Sequence, residues 1–205
     1  MDEPTRVNTI NNEDIQKKSS KKTAIFITIL VLVALAIMVN TMTGNVINQH
    51  EGTKVLFETT MGDIEIELYS DMPVTTENFK KLIQSGKYDG VIFHRIIDGF
   101  MIQGGDPTGT GYGDPSIPTI KDEFTHAGGN KNLRGTIAMA NAGPNTGSSQ
   151  FFINLVDNNF LDTKHPAFGK VISGMENVDK IAKVKTSSQD RPLEDVQIIK
   201  ASILE

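Results

Sequence analysis

The chain has 205 residues, no cysteine and a formal net charge of −5. That composition excludes disulfide staples and cysteine-based metal sites. An acidic balance also argues against nucleic acid, whose phosphates demand a basic face.

Met1–Lys22 is polar, and Thr23–Val39 then runs 17 residues without a charge. As a helix that run measures about 26 Å, against a hydrocarbon core of about 30 Å. Thr41 and Met42 can lengthen it. Lys17, Lys18, Lys21 and Lys22 precede the run, and the next Lys or Arg is Lys54. The positive-inside rule then keeps the amino terminus in the cytoplasm and exports the remainder of the chain. The expected division is a cytoplasmic polar tail over 1–22, a transmembrane signal anchor over 23–42, a linker over 43–52 and a folded domain over 53–205. A cleaved secretory signal with Ala34-Leu35-Ala36 as its site is the rival reading, and would leave the domain secreted. That site lies inside the apolar run, and a 22-residue leader is long for a signal. Residues 1–51 are neutral, so the acidity belongs to the domain, which is large enough to bury a full core.

Lys54–Tyr69 reads as a hairpin. Ile64, Ile66 and Leu68 alternate with Glu65 and Glu67, and Met61-Gly62 supplies the turn. Asp71-Met72-Pro73 opens a helix with Phe79, Leu82 and Ile83 on its inner face and Gly86 after its end. Val91–Ile97 and Phe100–Gln103 are expected strands about Asp98-Gly99, and Gly104–Asn132 is expected to be mostly irregular. Thr136–Ala140 and Phe151–Leu155 are short apolar strands flanking Gly143–Ser149. Met175, Val178, Ile181 and Ala182 mark a second helix, and Val196–Leu204 a last strand. Many short strands with two helices predict a closed β structure capped at its ends.

Several chemistries lack support. Gly109, Gly111 and Gly113 do not lead into a helix, because Pro115 and Pro118 come next, so no phosphate loop is expected. His50, His94, His126 and His165 have no metal-ligand spacing. There is no G-x-S-x-G elbow for a hydrolase. No cofactor is expected.

The most informative segment is FHRIIDGFMIQGGD (Phe93–Asp106). Folded as two strands about a tight bend, it brings Arg95, Phe100, Met101 and Gln103 to one concave surface. That is an apolar pocket with two forked hydrogen-bonding groups, suited to a peptide. The ordinary reading of Arg95 is a strand residue paired with a surface carboxylate. Phe152 alone could be core, and His165 alone a satisfied loop histidine. Alternation puts His94 opposite Arg95, and Phe151 in the core opposite Phe152.

FHRIIDGFMIQGGD resembles the central signature of the cyclophilins, the peptidyl-prolyl cis–trans isomerases. MANAGPNTGSSQFFINL (Met139–Leu155) and FLDTKHPAFGKV (Phe160–Val171) resemble the family's other two pocket motifs, and the likeness spans Lys54–Glu205. The resemblance implies an eight-stranded antiparallel β-barrel capped by two α-helices, here preceded by one N-terminal transmembrane helix in a membrane-anchored, prokaryotic-like member. It implies that Arg95 is catalytic and that Phe100, Met101, Phe152 and Leu161 wall the proline pocket, closed by His165. Gln103 and Gln150 match polar groups along the groove. Asn141 matches the residue whose backbone grips the substrate chain, Ala140 a position where the peptide lies close, and Gly109 and Thr110 the neighbouring rim. Its partners would be proline-containing polypeptides, and a monomer is expected.

Phe160 stands where large animal cyclophilins carry tryptophan, so an indole N–H that contacts cyclosporin is missing and weak cyclosporin binding is expected. Pro107 replaces a family aromatic, and Thr125–Asn132 is longer than usual. Three functions compete: an isomerase on X-Pro bonds of exported chains, a binding module that holds proline-bearing partners, and an adaptor recruiting through Met1–Lys22. Arg95 favours the first, since a mere binder does not require it.

Overall fold

Period-two alternation sets the register of the sheet from its first hairpin. In the computed structural model, which describes residues 30–31 and 52–204, β1 (Lys54–Thr59) and β2 (Ile64–Leu68) pair antiparallel about a turn at Gly62. Val55, Phe57, Ile64, Ile66 and Leu68 point into the core, while Glu65 and Glu67 stay partly exposed. Helix α1 (Pro73–Gln84) comes next, with proline in its first turn as expected. Its free N–H groups find a distant cap: Val74 and Thr75 donate to the Glu123 carboxylate at 3.2 and 2.8 Å. Gly86, at φ 69°, ends the helix, and Lys87 N–H returns to the Leu82 carbonyl.

β3 (Arg95–Ile97), β4 (Met101–Gly104), β5 (Thr136–Met139), β6 (Phe151–Asn154), β7 (Ala167–Ser173), α2 (Met175–Ala182) and β8 (Ile198–Leu204) complete the fold, with a 3-10 turn at Asn159–Leu161. The sheet order is β3-β4-β6-β5-β7-β2-β1-β8, antiparallel throughout. Both helices pack on it, α1 against β8 and α2 against β2, β3 and β4. Phe57, Phe79, Tyr88, Phe93 and Phe151 form an aromatic core, with ring centroids 5.0–6.4 Å apart.

The eight strands and two capping helices agree with expectation, and three details differ. The barrel is a half-barrel: β3 and β8 do not pair as strands. The segments that precede them meet instead, through the bridge Ile92–Gln197 and main-chain bonds such as Phe93 N–H to Val196 O, 2.9 Å. The strand expected over Val91–Ile97 is correspondingly cut to three residues. Phe93 and Ile96 both face the core, so alternation breaks between them. β7 is not evident in the residue pattern, because Gly169 interrupts its apolar run; a side chain there would collide with the Glu67 carbonyl.

Glu51–Glu205 form one compact unit. Among the described residues no helix is long and apolar enough to cross a membrane. Apart from Leu30 and Val31, which are helical, the expected anchor over 23–42 lies outside the described residues.

Candidate functional site

Antiparallel registry assembles the site in rows across the outer face of the sheet. Arg95 pairs with Gln103, Gln103 with Phe152, and Phe152 with Ala138. Residues opposite one another in a ladder share a face, so these four stand together outside. Their alternates Ile96, Ile102, Ile153 and Ile137 fill the interior. Ile97, Met101 and Asn154 form the next outer row. Phe100 projects from the turn between the strands, where Gly99 takes φ 72°. Phe151 is fully buried in the core and Phe152 lies in the second apolar cluster with Met101, Ala138 and Ala167, as alternation requires.

Nine of the thirteen predicted residues line one recess of about 160 Å³: Arg95, Phe100, Met101, Gln103, Ala140, Asn141, Phe152, Leu161 and His165. Gln150 lines an adjoining recess of about 190 Å³ that shares Gln103, Ala140 and Asn141. The other three stand apart. Gly109 borders a separate hollow with Arg191. The Thr110 hydroxyl is tied to Asp106, 3.3 Å away. Phe160 is 68% exposed and stacks on Phe100, centroids 5.9 Å apart. A larger recess of about 830 Å³, bordered by Met61, Lys183 and Leu193, holds none of the predicted residues.

Polar contacts fix the walls. Gln103 Nε2 donates to Gln150 Oε1 at 2.9 Å, and Gln150 Nε2 to the Gly111 carbonyl at 3.1 Å. His165 must carry its proton on Nδ1, because that atom faces the Met139 carbonyl at 3.0 Å and a carbonyl only accepts. Its ring stands edge-on to Phe152, centroids 5.4 Å apart. The Asn141 side chain donates to Lys164 O at 2.8 Å. Its backbone N–H and carbonyl make no hydrogen bond among the described residues, which leaves a free main-chain edge.

Asp106 organises the rim. Its buried carboxylate accepts from Thr108 N–H and hydroxyl, Gly111 N–H and Gly113 N–H. Burial pulls its pKa up, but the hydrogen bonds from Thr108, Gly113 and Gly111 prevail and hold it below the usual carboxylate value. Gly105 beside it is required: at φ 84°, a Cβ would lie 2.5 Å from the Ser149 carbonyl. His94 is buried, and burial above all, with Arg191 and Arg95 nearby, lowers its pKa against the pull of Asp106. It packs against the loop at Gly111, away from the recess.

Sequence reasoning missed the supports. Asn154, fully buried, donates to Thr136 Oγ1 at 2.9 Å. Asn158 donates to Asn154 Oδ1 at 2.8 Å and to Phe100 O at 3.0 Å. This network ties the 3-10 turn carrying Leu161 to Phe100. Asn130 and Asn132 donate to the His165 carbonyl at 3.0 and 3.1 Å. An asparagine in the sequence signals none of this.

An arginine thus stands above an apolar floor, beside a free main-chain edge, on an antiparallel half-barrel. A family model described as "Cyclophilin type peptidyl-prolyl cis-trans isomerase/CLD" matches residues 54–203. The chain is 50% identical over 155 residues to a peptidyl-prolyl cis-trans isomerase-like 1 of Gibberella zeae, covering 75% of this chain and 96% of that protein. It is 51% identical over 150 residues to one of Bos taurus, covering 72% and 90%. A cyclophilin-type isomerase of Cryptosporidium parvum, solved in the presence of the dipeptide Ala-Pro, is 36% identical with TM-score 0.70, covering 74% of this chain and 99% of that one. The chain belongs to the cyclophilin family and is a cyclophilin-type peptidyl-prolyl cis–trans isomerase. These relatives are eukaryotic, so they lend nothing to the expected prokaryotic-like character.

Proposed function

We propose that the domain accelerates rotation about X-Pro bonds by transition-state hydrogen bonding from Arg95, acting as a monomer on proline-containing polypeptides. One observation carries this: the ladder places Arg95 in register with Gln103 and Phe152, so a permanent cation shares the recess with an apolar seat for a ring.

Amide rotation is opposed by about 18–20 kcal/mol, because the nitrogen lone pair is delocalised into the carbonyl. X-Pro bonds therefore exchange over roughly tens to hundreds of seconds. Reaching milliseconds requires about 10⁴–10⁵-fold, or about 5.5–7 kcal/mol off the barrier. In the twisted transition state the lone pair localises on the prolyl nitrogen, which becomes an acceptor. Arg95 donates to it there and not to the planar ground state, and only such differential binding speeds the step. Phe100, Met101, Phe152 and Leu161 hold the ring, and the free Asn141 edge with Gln103 holds the flanking chain. The twist is thereby confined to one bond. No proton is transferred and no covalent bond breaks.

NMR exchange on an Ala-Pro peptide tests this. Interconversion should become much faster than in buffer; peptide binding without acceleration would instead define a proline-peptide holder.

The apolar run over 23–42 and the lysines before it support a single-pass anchor, with the isomerase outside the cytoplasm acting on exported chains. Intact mass of the protein recovered from membranes and from the medium tests it. The full-length mass supports the anchor, and loss of about the first forty residues supports a secreted form.

A further inference from the structure

The loop from Ser187 to Pro192 supplies no group to the proposed chemistry, yet it is bonded both to β3 and to the glycine-rich rim. Asp190 sits at φ 62°, a left-handed conformation that residues with a side chain seldom adopt, Asn and Asp excepted. Its main chain is held at both ends: its N–H donates to Ser187 O at 3.1 Å, and its carbonyl accepts from Ile96 N–H at 2.8 Å. Ser187 N–H closes the loop on the Arg191 carbonyl at 2.7 Å, and Arg191 Nη1 reaches across to the Gly109 carbonyl at 2.7 Å. The loop is thus pinned to β3 and to the glycine-rich rim at once.

This clamp brings Asp190 Oδ2 to 3.4 Å from Arg95 Nε. Among the described residues it is the one ionic partner of that guanidinium. Both side chains are roughly two-fifths exposed, 43% and 40%, so the pair adds little to stability. Asp adopts this conformation readily, so what singles Asp190 out is where the turn puts its carboxylate. A guanidinium has five N–H donors in a fixed fork. The carboxylate stands on the Nε side as an ion pair rather than in hydrogen-bond geometry, and the two Nη groups have no protein partner among the described residues.

We propose that Asp190 is a positioning residue for the isomerisation, its charge drawing the Nε side of Arg95 toward the Ser187–Pro192 loop and leaving the Nη donors available to the recess. The inference rests on Arg95 being the donor to the prolyl nitrogen. It assigns the carboxylate a task that binding of the peptide does not need, so its removal should be felt in turnover and not in affinity.

The test compares the full chain with Asp190→Asn and Asp190→Gly by NMR exchange on an Ala-Pro peptide, which yields turnover and dissociation constant separately. Asn keeps the shape and tolerates positive φ while losing the charge; Gly tolerates the same φ with no side chain. Turnover should fall about five- to tenfold in both, while affinity changes less than about twofold. The thermal midpoint should stay within about 2 °C. In an Arg95→Ala background, Asp190→Asn should have no further effect, as a residue acting through Arg95 requires. Undiminished turnover in both Asp190 variants, or an equal loss in the Arg95→Ala background, overturns the positioning role and leaves the isomerase reading standing. A turnover loss matched by a lower midpoint overturns it too, and assigns Asp190 to folding instead. An Arg95→Ala variant as active as the wild type overturns the isomerase mechanism, and the Asp190 inference with it.

Discussion

Gln103 donates its side-chain amide to Gln150 across 2.9 Å, and Gln150 passes a second bond to the Gly111 carbonyl. Gln103 thereby joins the strand that carries the recess to the loop that forms its rim. Two side chains in series have fewer free orientations than either alone, which suits a group that must meet a substrate chain already aligned.

Because the two glutamines act as a unit, Gln103→Ala and Gln150→Ala should each lower kcat/KM about tenfold, near 1.4 kcal/mol. The double variant should fall well short of their product. A double-mutant cycle on a proline peptide measures this, and strict additivity would show that the amides work independently.

Leu161 packs against the second apolar cluster beside the recess and is half-buried. Leu161→Ala should weaken peptide binding by about 1 kcal/mol, roughly fivefold, through lost apolar contact. Turnover should change little. Titration of a proline peptide separates the two; a selective loss of turnover would move Leu161 from seat to machinery.

Phe160 stacks outside the recess on Phe100 and offers no N–H. Cyclosporin should therefore inhibit weakly, and Phe160→Trp should strengthen inhibition with isomerase activity kept. Tight inhibition of the wild type would contradict this.

The rows of the sheet and the gathering of Arg95, Phe100, Met101 and Gln103 at one recess were legible in the sequence. Ile64, Ile66 and Leu68 alternate cleanly, and Phe151 and Phe152 divide between interior and recess as adjacent strand residues must. Gly109, Thr110 and Phe160 are different. Their places depend on how an irregular loop is folded by Asp106 and how a 3-10 turn is hung on Asn158, and no periodicity encodes either. Glu123, capping α1 at Thr75 from 48 residues away, was equally hidden, since the local signal at Asp71 pointed elsewhere. Asp71 instead bonds His126 and Ala127 N–H.

Asp106 links stability to pH. Its native pKa lies below the usual value, so it stays ionised where the unfolded chain's carboxyl, near about 4, is already taking up a proton. Its stabilisation is fully present above that unfolded value and is lost as pH falls through the lower native one. Asp106→Asn replaces one acceptor oxygen by an amide facing backbone N–H groups, and should cost about 2 kcal/mol at neutral pH. Denaturant melts of both proteins should converge in acid; a gap that does not narrow would assign the loss to packing.

The most direct test is Arg95→Ala in the exchange experiment, with peptide affinity measured alongside. Losing a donor that acts only in the twisted state should cut turnover about 10²–10³-fold, with the dissociation constant within about threefold. Equal losses in turnover and affinity would make Arg95 a binding residue and contradict the proposed mechanism.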